Sequence, residues 1–77
     1  MILEKDKLVF DDEVVPIVYI QRLVIMSNGK LSIDYTKPGH RTAFGRKKVY
    51  RRDFYYDSKD LLVERFRKKF IAVIDFS

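Results

Sequence analysis

Two apolar stretches flank a polar dipeptide in VVPIVYIQRLVIMSNGKLSIDY, the run from Val14 to Tyr35. Asn28-Gly29 suits a two-residue type I′ turn, in which both central positions take φ > 0. Counting outwards from that turn, Ser27 faces Lys30, Met26 faces Leu31, Ile25 faces Ser32, Val24 faces Ile33, Leu23 faces Asp34 and Arg22 faces Tyr35. Side chains alternate across a strand, so Met26, Val24, Leu31, Ile33 and Tyr35 are expected on one buried face. The second strand alternates cleanly, with Lys30, Ser32 and Asp34 between its apolar positions. A one-residue slip of that strand would expose all three apolar groups.

The first strand does not alternate. Ile17, Val18, Tyr19 and Ile20 are all apolar, as are Leu23, Val24, Ile25 and Met26. Such a strand is either covered on both faces or bends between two layers. In the register above, Leu23 and Ile25 need a cover on the face away from Ile33, from the C-terminal segment or from another chain. Pro16 cannot donate a ladder hydrogen bond and belongs at a strand start, an edge or a bulge.

On either side of the hairpin the pattern is shorter. Lys7-Leu8-Val9-Phe10 reads as a strand that stops at Asp11-Asp12-Glu13, an acidic turn that either screens neighbouring cations or is simply solvated. Thr36 to Lys48 holds Pro38-Gly39 and Gly45 and reads as a long polar loop. Val49 to Tyr56 returns to a strand pattern. Tyr50, Arg52, Phe54 and Tyr56 are expected inward near Tyr35, with Arg51 and Tyr55 outward. Asp57-Ser58 offers an N-cap, and Asp60 suits the positive end of a helix. Leu62, Phe66, Phe70 and Val73 recur at helical spacing, and Glu64 can pair with Lys68, which predicts a helix from about Lys59 to Phe70. The β-branched richness of Ile71 to Phe76 favours a last edge strand over a continued helix. The expected architecture is α+β. It is one domain over residues 1–77, a small twisted antiparallel sheet of three or four strands with one C-terminal helix on a face.

Length changes this picture in one way. A chain of 77 residues buries only about 60% of its unfolded surface, so dimerisation stays open as a source of further burial. Cysteine is absent, which removes disulfides and thiolate metal sites. The start alternates charges with no apolar targeting core, and the longest uncharged stretch, Val14 to Gln21, is too short to span a bilayer, giving a cytoplasmic expectation.

Charge is unevenly distributed. Residues 1–20 carry a net −3, residues 21–56 a net +7 and residues 57–77 a net +1. Catalysis has little to use. His40 is the sole histidine, the clustered acids have no cation-loop spacing, and there is no nucleophile or phosphate-loop motif. The expectation is therefore a protein that is not an enzyme and needs no metal or cofactor.

The basic, aromatic middle is the constellation with a chemical use. His40, Arg41, Arg46, Lys47, Lys48, Arg51 and Arg52 lie close together, with Phe44, Tyr50 and Tyr55 among or beside them. Several cations on one surface release counterions from a phosphate backbone, and exposed rings stack bases. This predicts nucleic-acid binding of low sequence specificity, to DNA or RNA. The phosphate contacts would be Arg41, Arg46, Lys47, Lys48, Arg51 and Arg52, with Phe44 and Tyr55 as stacking groups. The same residues also fit an ordinary solvated surface, since edge lysines discourage aggregation. An alternative from a different class is a protein-binding or inhibitory module, or a homodimer, working through the doubly apolar strand or a sheet edge. A membrane partner is disfavoured, because Asp57, Asp60 and Glu64 would repel an anionic leaflet.

Overall fold

The computed structural model describes residues 1–41, 45 and 47–76. The expected α+β class is present. Along the chain come β1 (Ile2–Leu3), β2 (Lys7–Val9), β3 (Val14–Pro16), a 3₁₀ turn (Ile17–Tyr19), β4 (Ile20–Ile25), β5 (Leu31–Arg41), β6 (Lys47–Phe54), α1 (Lys59–Lys68) and β7 (Ala72–Asp75). They form two sheets, an antiparallel one in the order β1-β2-β3 and a larger one in the order β6-β5-β4-β7. In the larger sheet β7 runs parallel to β4 and the other pairs are antiparallel. No helix among the described residues is long and apolar enough to cross a membrane.

The doubly apolar run resolves by bending between layers. Val15 belongs to the small sheet, the 3₁₀ turn carries the chain across, and Ile20 opens the large sheet. Val15, Ile17 and Ile20 are all buried in one core, although they come from different elements. Pro16 ends β3, an edge strand of the small sheet, where its missing N–H is harmless. The rest of the core comes from Leu8 and Phe10, from the inner face of the large sheet, and from Leu62 and Phe66 on α1.

The hairpin exists, but its register is one residue away from expectation. Ile25 pairs with Leu31, Val24 with Ser32, Leu23 with Ile33 and Arg22 with Asp34. The loop has three residues rather than two. Gly29 N–H donates to Met26 O at 3.0 Å and Met26 N–H donates to Lys30 O at 2.8 Å. Only Gly29 is left-handed, at φ 86, while the Asn28 side chain accepts the Lys30 N–H at 3.1 Å. This is a type I turn closed by a glycine bulge, the other common use of Gly in a short hairpin.

The slip leaves Leu31, Ile33 and Tyr35 buried as expected and reverses β4. Leu23 and Ile25 face the core at 0% and 2% exposure, whereas Val24, still buried, lies over Ser32 on the opposite face and Met26 is only half-buried. Burying Leu and Ile against Leu31 and Ile33 removes more apolar area from water than burying Val and Met. It also sets Arg22 opposite Asp34 instead of Tyr35. An irregularity between Ile20 and Arg22 then restores Ile20 to the inner face, opposite Tyr35. Leu23 and Ile25 therefore need no outside cover.

Two further expectations change. Residues 36–41 are not loop but the second half of β5, and β6 begins at Lys47, so the predicted loop is largely a two-stranded ribbon. A ribbon needs backbone pairing but no apolar face, which is why its polar sequence reads as loop. The helix ends at Lys68, and Phe70 lies outside the apolar stripe, 97% exposed and at φ 60. Ser58 is the N-cap, contributing its backbone carbonyl to Leu61 and Leu62 but no side-chain bond. Glu64 pairs with Lys68 at 3.1 Å, and residues 72–75 form the expected edge strand.

Candidate nucleic-acid interface

β5 and β6 are paired from Leu31↔Phe54 to Thr36↔Val49 and again at Arg41↔Lys47, with a register shift between. β4 follows β5 only as far as Tyr35. Beyond that point β5 and β6 continue without β4, and none of the described residues of 36–49 belongs to the buried core cluster. Within those residues stand Lys37, Arg41, Arg46, Lys47 and Lys48, with no Asp or Glu.

Where the ribbon joins the body, strand alternation divides the cations between two faces. On the inner face, the Arg52 guanidinium lies 4.0 Å from the centre of the Phe10 ring. It donates to Glu13 at 2.9 Å and to Asp12 at 2.6 Å. The Tyr35 hydroxyl donates to the same Glu13 oxygen at 2.6 Å, and Lys37 approaches the other at 3.3 Å. Burial works to raise the Glu13 pKa, but hydrogen bonds from Tyr35, Arg52 and Lys37 outweigh it and the net shift is downward. Burial and the bond to Glu13 push the Tyr35 phenol up to about 12. The acidic turn is thus tied to the large sheet rather than simply solvated.

On the outer face, Asp34 takes an arginine from each neighbouring strand, Arg22 at 2.8 Å and Arg51 at 2.9 Å. The Arg51 hydrogen bond leads the causes that hold its carboxyl below the usual range. The Asp34 side chain is 5% exposed, covered by the two guanidinium groups paired with it.

Among the eight predicted contact residues, Arg51, Arg52 and Tyr55 consequently do not share one patch. Arg51 is outward, as expected, and tied to Asp34, while Arg52 is held between Phe10 and two carboxylates. Tyr55 is exposed but follows the end of β6 remote from the ribbon tip. Seven steps of extended chain, roughly 23 Å at strand spacing, separate it from Lys48. The backbones of Arg41 and Lys47 pair across the ribbon, and Lys48, next along β6, is exposed. Phe44 and Arg46 lie outside the described residues.

Lys37 and Tyr50 were not among the eight. Tyr50 stacks on Tyr35 with ring centres 5.8 Å apart, and Lys37 and Lys48 sit 4.5 and 5.1 Å from its centre. Carrying the alternation of β5 two residues past Tyr35 would have placed Lys37 on this face. The polar character of that stretch hid the signal.

No family model, curated protein or solved structure matches this chain.

Proposed function

We propose that the chain binds nucleic acid without catalysing a reaction and with little sequence preference, through the distal β5–β6 ribbon. Arg41, Arg46, Lys47 and Lys48 supply phosphate contacts, and Phe44 supplies a stacking ring. The observation that carries this reading is the segregation of charge. Asp12, Glu13 and Asp34 are engaged by Arg22, Arg51, Arg52 and Lys37 at the body of the fold, while the ribbon beyond carries cations and no carboxylate. Cations without local counter-charges are the kind that release counterions on meeting a polyanion. A two-stranded ribbon is also narrow enough to enter a duplex groove. Arg51 and Arg52 then serve mainly to hold strands and acidic turn together, and Tyr55 lies too far away to share the contact.

Titration of labelled single- and double-stranded DNA and RNA oligonucleotides tests the proposal. Binding is expected at ~50 mM salt and should weaken steeply by ~200 mM. Replacing Arg46, Lys47 and Lys48 together by Ala should lower affinity and flatten the salt dependence by up to about three units of slope. No binding at ~50 mM salt would leave the ribbon as a solvated surface. The rival reading, a homodimer or partner-binding module, loses its first motive now that Leu23 and Ile25 lie in the core.

A further inference from the structure

The end of α1 is built in an unusual way. Ile71 N–H donates to Phe66 O and Phe70 N–H donates to Arg67 O, both at 3.0 Å. This paired closure needs a left-handed residue directly after the C-cap, a position that glycine ordinarily fills. Here it is Phe70, at φ 60, the sole non-glycine residue with positive φ among the described residues. A bulky side chain in that conformation is strained. Its ring is 97% exposed, so contacts within the chain do not offset the strain. An aromatic held at cost and turned into water points to a use outside the fold.

The surroundings indicate what that use is. Val18, 77% exposed, projects from the 3₁₀ turn between the two sheets. Between Val18 and Phe70 lies a groove of about 230 Å³, floored by Ile17, Ile20 and Ile71 and flanked by Lys69. No carboxylate lines it. Lys68 is paired with Glu64 and Arg65 donates to the Glu4 carbonyl, but Arg67 and Lys69 make no ion pair among the described residues.

We propose that this groove docks a peptide segment carrying one bulky apolar side chain flanked by Asp or Glu. The space is smaller than the ~300–1,000 Å³ of a typical small-molecule site and suits a single anchoring side chain. The carboxylates would meet Lys69, the charged residue that lines the groove. A lipid surface would touch the tips of Phe70 and Val18 but leave the aliphatic floor empty, and a phosphate backbone has no apolar group to place there. The surface is separate from the ribbon and stands whether or not the ribbon binds nucleic acid.

Selection of a displayed random-peptide library on the intact protein, followed by titration of the enriched synthetic peptides, tests this. Enriched sequences should pair Phe, Leu or Trp with neighbouring acids. Their affinity should fall at least about tenfold on Phe70→Gly and on Lys69→Glu, while Phe70→Gly melts at a higher temperature than the parent. Absence of enrichment, or peptides that bind both variants undiminished, would overturn the proposal. So would a lower melting temperature for Phe70→Gly, which would make the ring a structural support. Two other results reassign the surface and equally overturn it: Phe70-dependent binding to phosphatidylserine vesicles, or a Phe70-dependent dimer in light scattering.

Discussion

Asp34 lies on the face of the large sheet that no helix covers, yet it is 3% exposed because Arg22 and Arg51 close over it. Each guanidinium supplies a charge-assisted hydrogen bond, and without them a charged carboxylate could not stay so buried. Asp34→Ala is expected to destabilise the fold by about 1–3 kcal/mol, measurable by urea unfolding. Arg52 occupies the matching place on the inner face. Arg52→Ala should cost about 1–2 kcal/mol, since it removes two hydrogen bonds and the cover of Phe10. If nucleic-acid affinity fell while stability stayed unchanged, Arg52 would be a contact residue after all. The inward and outward positions of β6 were legible from strand alternation. The partners of Arg52 were not, because Asp12 and Glu13 lie about forty residues away in sequence and no local pattern joins them.

At the scale of elements, the hairpin decides which side chains of β4 enter the main core. Asn-Gly between apolar runs is compatible with a two-residue loop and with a three-residue loop ending in left-handed Gly, and the two differ by one residue of register. The apolar content of β4 could not choose between them, because both of its faces are apolar. The choice rests on packing and on the cross-strand pairing of Arg22 with Asp34. Leu23→Ala should therefore cost about 2–5 kcal/mol and Val24→Ala clearly less, as read from unfolding midpoints. Equal effects would mean that Val24, 9% exposed on the outer face, is packed as tightly as Leu23. The end of α1 follows the same logic. The spacing of Leu62 and Phe66 was a true helical signal, but Phe70 extended it by coincidence. Relieving the left-handed strain by Phe70→Gly should raise stability by about 1 kcal/mol, or a few degrees in Tm.

For the whole molecule, the acid–arginine links between the acidic turn and the large sheet make stability depend on pH. Glu13 and Asp34 have lowered pKa values in the fold, from ordinary values of 4.5 and 3.8. Their contribution is complete above those ordinary values and is lost as pH falls through the lowered ones. Tyr35 gives the opposite limb. With its pKa raised from 10.0 to about 12, its contribution is complete below pH 10 and fades as pH rises towards 12. Melting temperature followed from acid to alkaline pH should therefore show a plateau with a decline at each end. Glu13→Gln should soften the acid decline, and Tyr35→Phe the alkaline one. A profile unchanged by either substitution would mean that these groups titrate alike in the folded and unfolded chain.

The sequence by itself determined the α+β class, the central hairpin, the buried alternation of Leu31, Ile33 and Tyr35, the helix and its following strand. Each is a local matter of turn chemistry or of periodicity along one segment. Tertiary structure alone decided the register of β4, the bend of residues 14–20 between two sheets, and the tying of the acidic turn to Arg52 and Lys37. It also extended the ribbon through a stretch too polar to read as a strand. Those outcomes depend on which distant groups compete for the same space and the same charge, and a linear pattern carries no record of that competition.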